Sequence, residues 1–279
     1  IRSLGSWLQF CGQMAATYHG SGLLDLHGSL RSRLLSLFWK NRVRRYPKFS
    51  LARRWLMLAG PERAAESLET LRSLNVPQRY NMALETEPVA ARELRPRLFL
   101  SEQELEFGRG LAADARMGSQ GKLLTLHPFA THPAKAWPWE RWQELVRELE
   151  RTGRNYCFIG RDNGEWPGWL AKLEPEHKLV NRLSLRQSMA VIASSDAVVT
   201  GDSGPMHLAR GLDTPVIALF GPTDKAWGFY PEADEGTVLE LDLPCRPCSL
   251  HGAGKCGRSL ACLRELEVER VMHAIGQLD

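Results

Sequence analysis

Two glycine-bearing turns, separated by one apolar run, stand out between Thr200 and Asp224, TGDSGPMHLARGLDTPVIALFGPTD. The first, Gly201-Asp202-Ser203-Gly204-Pro205-Met206-His207, follows the apolar Ala197-Val-Val-Thr200. Its small residues let backbone approach a ligand closely. A helix that starts near Pro205 points its free N–H groups outward, the arrangement by which helix N-termini hold phosphate. Ser203 adds a hydroxyl donor, and His207, one turn in, could donate to a phosphate oxygen. An ordinary strand–loop–helix turn capped by Asp202 or Ser203 would use the same residues. The second turn, Phe220-Gly221-Pro222-Thr223-Asp224, repeats the pattern one apolar run later, with Thr223 as the hydroxyl.

A third strand-end loop, His127-Pro-Phe-Ala-Thr131-His132-Pro-Ala-Lys135, brings a hydroxyl and a point charge, the two groups a diphosphate needs. A solvated Lys135 is the alternative. In Gly160-Arg-Asp162-Asn-Gly-Glu165, the carboxylates Asp162 and Glu165 stand where a ribose diol could be held, or where a helix start would take acids. Cys245, Cys248, Cys256 and Cys262 have the spacing C-x2-C-x7-C-x5-C. Four thiolates so spaced could surround zinc; reduced cysteines in a loop or a redox-labile pair are the other readings.

To converge, these loops must share one edge of a sheet. Apolar runs alternate with amphipathic stretches, as in parallel strands joined by helices. Strands are expected at 122–127, 155–160, 177–181, 197–200 and 215–220, with helices at 139–152, 164–173, 184–194 and 206–212. That is a doubly wound parallel sheet, whose ligands bind at the carboxyl ends of the strands. Ahead of it lie a strand ending at Asp25, helices at 29–40, 63–74 and 101–116, and the linker Gly118–Gly121. A last helix is expected over 263–278. The implied division is an N-terminal α/β domain at 1–118, a C-terminal Rossmann-like domain at 119–262, and a closing helix at 263–279.

The chain has 279 residues, 43% hydrophobic and 24% charged, enough for a large core. No apolar run approaches the ~20 residues that span a bilayer. Residues 1–24 do not read as a secretory signal, because Gln9, Gln13 and His19 interrupt the apolar pattern. Residues 1–118 hold 18 Lys+Arg and 11 Asp+Glu, so this part is basic and the remainder acidic. Nine basic residues and no acidic one lie between Leu26 and Pro61, with Trp39, Tyr46 and Trp55 among them. This points either to an anionic partner such as a membrane interface or phosphorylated lipid, or to a solvated face on a pair of basic helices. Nucleic acid is not expected, since no recognised module accompanies the run.

The 202–224 run, the K-A-W-P-W-E-R-W at 135–142, the D-L-H-G-S-L-R-S at 25–32 and the closing C-R-P-C with Cys262-Leu263 together resemble glycosyltransferase family 9. That family contains the ADP-heptose:lipopolysaccharide heptosyltransferases, and the likeness runs from about Trp7 to Leu266. It implies a GT-B fold, in which two Rossmann-like domains face a cleft. It further implies transfer of heptose from ADP-heptose, with inversion, to the inner core of lipopolysaccharide on lipid A, without catalytic metal or other cofactor. By position, Thr131 and Lys135 would contact the diphosphate, Glu165 or else Asp162 the ribose, and Asp202, Ser203, Gly204 and His207 the phosphate and sugar pocket, with Thr223 beside them. Lys135 and Asp202 are then the candidate catalytic groups, and Asp25 and Arg31 belong to the acceptor side. Such an enzyme would be cytoplasmic, with peripheral contact at the inner membrane. Family members open with a strand and a G-D-x-x-x-T turn whose aspartate is taken as the general base; nothing like it occurs before Trp7, so the first strands are expected to be missing. A catalytically inactive nucleotide-sugar-binding homologue and a nucleotide-sugar epimerase are the alternatives.

Overall fold

The computed structural model describes residues 3–119, 121–161, 166–253 and 256–278. Helix α1 (Leu4–Thr17) starts behind a Ser3–Ser6 capping box. It is followed by β1 (Leu23–Asp25), α2 (Leu30–Leu37), β2 (Val43–Arg45), α3 (Ser50–Ala59), α4 (Ala65–Arg72) and α5 (Val76–Asn81). Strands β1 and β2 pair in parallel, with Asp25 opposite Arg45. The basic stretch is therefore helix, strand and helix rather than a pair of helices. Strand β2 reads Val-Arg-Arg and has no apolar alternation to announce it. Pairing with β1 and the Arg45 Nε to Asp25 Oδ2 contact of 3.3 Å hold it extended.

Helix α6 (Glu102–Ala115) begins at the expected Ser101–Glu104 capping box. The alternating series follows: β3 (Leu123–His127), α7 (Trp139–Arg151), β4 (Asn155–Phe158), α8 (Gly168–Ala171), α9 (Leu185–Ala193), β5 (Ala197–Gly201), α10 (Gly204–Gly211), β6 (Val216–Leu219) and β7 (Gly236–Leu239). Two helices close the chain, α11 (Ala261–Arg264) and α12 (Val268–Gly276), where sequence suggested one. The segment at 177–181 runs alongside β4 with a single bridge, Phe158 to Lys178. Strand β7 is an addition, and it opens on Gly236 at φ 152, where a Cβ would meet the Val216 carbonyl oxygen at 2.0 Å.

The order β4-β3-β5-β6-β7 is parallel throughout. The chain leaves β3 towards β4 and resumes on its other side at β5, so the crevice between the ends of β3 and β5 is the switch point at which such sheets bind ligands. Both faces are covered. On one, Trp142, Leu145, Val146 and Leu149 of α7 recur at helical spacing and pack with Leu124, Leu126, Val199 and Val271. On the other, Ala112 and Ala115 of α6 join Val191 of α9, Met206 of α10 and Val198. Helix α6 precedes the Gly118–Gly121 linker in sequence yet packs on the second sheet. The first unit meets the second through Leu56 and Leu71 against Ala226 and Trp227. No described helix is long and apolar enough to cross a membrane.

The tightest helix contact is α6 on α9, where a Cβ on Gly108 would lie 2.2 Å from the Ala190 carbonyl oxygen. Backbone cannot swing aside, so Gly108→Ala is expected to destabilise the fold by about 1–3 kcal/mol, the cost of overpacking, read as a lower urea midpoint. Strand β3 ends in His127, 7% exposed, whose burial lowers its pKa to about 4. The unfolded chain takes up that proton near pH 6.5 and the folded chain only near 4, so this contribution to stability is complete above that window and is lost as pH falls through it, amounting to about 3 kcal/mol. Urea unfolding at about pH 7 and about pH 5 should show the wild type losing more stability than His127→Gln; equal losses would refute it.

Candidate functional site

Three strand ends supply the site. From β5, the Asp202 carboxylate accepts from Lys135 Nζ at 2.6 Å, and the Asp202 carbonyl accepts from the same ammonium at 3.3 Å. From β6, Thr223 Oγ1 donates to Asp202 Oδ2 at 2.9 Å. From β3, the loop through Thr131 carries Lys135 on a short 3-10 turn, Pro133–Lys135. The side chains of Lys135 and Asp202 are only 17% and 10% exposed, so the pair is partly desolvated and each partner depends on the other. Asp202 is thus engaged by both Lys135 and Thr223.

Helix α10 opens at this point with Pro205 inside its first turn. Its N-cap residue, Ser203, makes no side-chain capping bond; the hydroxyl instead meets Thr200 Oγ1 at 2.9 Å and lies 3.4 Å from His127 Nδ1. Asp202 is engaged with Lys135 and Thr223. No side-chain cap closes this turn, and Gly204 at the start of α10 lines the cleft. A Cβ on Gly204 would meet nothing within 4 Å, so space in front of the helix is clear.

Two adjoining clefts share Thr131, Ser203 and Gly204. The larger, about 700 Å³, is lined by Phe129, Trp139 and Arg161 among others. Phe129 stands edge-on to Trp139 at 5.7 Å, which leaves aromatic surface for a planar group. The smaller, about 330 Å³, is lined by Lys135, Asp202, His207, Trp227, Leu250 and His251. His207 stands edge-on to Phe229 at 5.7 Å; dehydration by the cleft walls, then the charge of Arg210, pushes its pKa below the ordinary value.

Most of the expected site residues thus meet at one sheet edge: Thr131, Lys135, Asp202, Ser203, Gly204, His207 and Thr223. Asp162 and Glu165 lie outside the described residues. Phe129 and Trp139, near Thr131 in sequence, line the larger cleft although as apolar side chains they carry no polar signal. Arg161, which directly precedes Asp162 in sequence, also lines the larger cleft. His251 comes from the cysteine-rich loop, and only tertiary structure reveals its place. That loop is built in: Trp227 Nε1 donates to the Ser249 carbonyl at 2.9 Å, and a Cβ on Gly252, at φ 81, would meet Lys135 Cγ at 2.7 Å. All six cysteines are free, and no group of three or more metal-ligating side chains occurs among the described residues.

Asp25 lies away from these clefts. Its Oδ1 accepts from the amides of His27 at 3.1 Å and Gly28 at 2.8 Å, and its Oδ2 faces Arg45. Burial raises its pKa, but those hydrogen bonds, with one from Ser32, outweigh it and the net shift is downward. A carboxylate so saturated shapes its own turn and is a poor proton acceptor. Arg31 is exposed on α2. Arg44 and Lys48 donate to the carbonyls of Leu84 and His27, so part of the basic stretch is used internally.

A family model described as glycosyltransferase family 9 (heptosyltransferase) matches residues 21–253. Lipopolysaccharide heptosyltransferase 2 of Salmonella typhimurium is 34% identical over 138 residues, covering 47% of this chain and 39% of that protein. Lipopolysaccharide heptosyltransferase 1 of Pseudomonas aeruginosa is 34% identical over 139 residues, covering 49% and 38%. The match spans about two-fifths of each of these relatives. Among solved structures, the glycosyl transferase family 9 protein from Veillonella parvula superposes with a TM-score of 0.69 at 17% identity, covering all of this chain and 80% of that one. The E. coli ADP-heptose LPS heptosyltransferase II superposes with 0.60 at 21%, covering 99% and 81%. With a family match across most of its length and the GT-B fold of these neighbours, the chain belongs to glycosyltransferase family 9.

Proposed function

We propose that this chain carries the donor site of an inverting glycosyltransferase that moves a heptose from ADP-heptose to the inner core of lipopolysaccharide. The observation that carries the reading is the uncapped N-terminus of α10, set beside Lys135 at the junction of an aromatic cleft and a polar one. A nucleotide sugar has the same three parts. Its base suits the aromatic cleft of Phe129 and Trp139, its diphosphate the junction, and its sugar the polar cleft of Asp202, His207 and His251. The names of the relatives supply the sugar and the acceptor.

In this reading Lys135 exchanges part of its contact with Asp202 for the diphosphate. An acceptor hydroxyl, deprotonated by a carboxylate base, attacks the anomeric carbon in line, and the bond to the diphosphate breaks. The negative charge that grows on ADP is met by Lys135, the first amides of α10, Ser203 and Thr131. Asp202 and Thr223 act by aiming Lys135. Residues 119–262, with α6 packed on them, form the donor domain, 263–279 its closing helix, and the rest of 1–118 the acceptor side, where Arg31 and Arg33 on α2 suit the phosphates and acidic sugars of an inner core. The protein then works in the cytoplasm, with peripheral contact at the inner membrane.

Calorimetric titration of the intact protein with ADP should give saturable binding. Lys135→Met should weaken it about 10- to 100-fold, the loss expected for a charged hydrogen bond. ADP-heptose should be consumed only when an inner-core acceptor is present. Consumption without acceptor would make the protein an epimerase, and binding with no transfer would make it a binding homologue.

A further inference from the structure

We infer that Arg72, on α4 of the first unit, is a positioning residue of the donor site, acting through Asp224; this rests on the nucleotide-sugar reading above. Arg72 Nε and Nη2 reach the two oxygens of Asp224 at 3.0 and 2.5 Å. The pair is bidentate, and Asp224 is nearly inaccessible, with 5% of its side chain exposed. Fork-on-carboxylate geometry fixes orientation as well as distance. The contact raises the pKa of Arg72 above its ordinary value.

Two parts of the site hang on that carboxylate. Its neighbour Thr223 bonds Asp202, which aims Lys135. Asp224 Oδ1 also accepts from the Ala226 amide at 2.8 Å, setting the short turn that presents Trp227 to the smaller cleft. Arg246 secures the same turn from the other side, donating to the carbonyls of Gly221 at 2.6 Å and Thr223 at 3.0 Å. Arg246 belongs to the second unit and holds the turn's backbone. Arg72 ties the carboxylate of this turn to the first unit, so the seating of α4 is transmitted to Lys135 through four side chains. Arg79 backs this arrangement from α5 by donating to the Ala226 carbonyl at 3.0 Å.

The test uses the intact protein and the variants Arg72→Gln, Asp224→Asn, their combination, and Arg72→Lys. Asn at 224 keeps an oxygen for the Ala226 amide while removing the charge. Each of the first two should weaken ADP binding about tenfold and raise the KM for ADP-heptose more than it lowers kcat, as misplacing a binding group by a fraction of an ångström would. The combination should be no worse than either alone, because one contact is lost in all three. Arg72→Lys should recover part of the affinity, and the unfolding midpoint without nucleotide should change too little to account for the loss. Variants that bind ADP as the wild type does, or whose losses follow the unfolding midpoint alone, overturn the inference. A wild type that binds no ADP overturns the nucleotide reading itself, and this role with it.

Discussion

The Asp202 carboxylate is the point on which three separate turns converge. It belongs to the end of β5, accepts from Lys135 of the β3 loop, and accepts from Thr223 of the β6 turn. None of these turns has a reason of its own to hold its polar side chain at that spot. A partly buried acid that needs two donors, and a partly buried ammonium that needs an acceptor, fix one another. The parallel sheet makes this possible, because its register sets His127 against Thr200 and Gly201 against Leu219, so that the loops leave the same edge at the same height.

The electrostatics of this arrangement suit a ligand that arrives and leaves. An isolated lysine facing the amides of a helix N-terminus would have positive charge on both sides and no counter-ion. Asp202 provides one. On the nucleotide-sugar reading proposed above, a diphosphate would bring more negative charge than Asp202. The neutral His127 behind Ser203 adds no competing charge, since its burial keeps it unprotonated at neutral pH. This edge of the sheet is therefore preorganised by contacts among its own side chains.

How far the sequence reveals this depends on range. Strands β3, β5 and β6 are legible because they are buried on both faces and so read as largely apolar runs, with loops or small-residue turns directly after them. Thr131, Lys135, Asp202, Ser203 and Thr223 could be picked out for that reason. Strand β2 and helix α1 are not legible in the same way. The first is three residues with two arginines, and the second buries only Cys11. The Ser3–Ser6 capping box was the available sign of α1, but serine at the third position is a weaker signal than the Glu104 that marks α6. The wall contributed by Leu250 and His251 has no local signature, since it depends on Ser249 meeting Trp227 across 22 residues.

The charge asymmetry is the instructive case. A basic first part and an acidic second part suggest a basic surface waiting for an anionic partner, and the structure uses part of that complementarity within the chain. At the carboxyl edge of the second sheet Arg72 grips Asp224. Near its amino edge Arg95 reaches Asp234 at 2.7 Å, Glu235 at 3.1 Å and Asp213 at 3.7 Å. Pairs of this kind add little net stability once desolvation is counted, but their geometry is selective. Two of them, on opposite edges of one sheet, hold the first unit along β6 in one orientation. The basic residues remaining for an external anion are then fewer and more localised, with Arg31 and Arg33 exposed together on α2 and Lys40 and Arg42 exposed just beyond it. Net charge counted along a sequence overstates the surface field whenever the two halves of a chain are each other's counter-ions, and here the contact that neutralises Arg72 also holds the turn after β6.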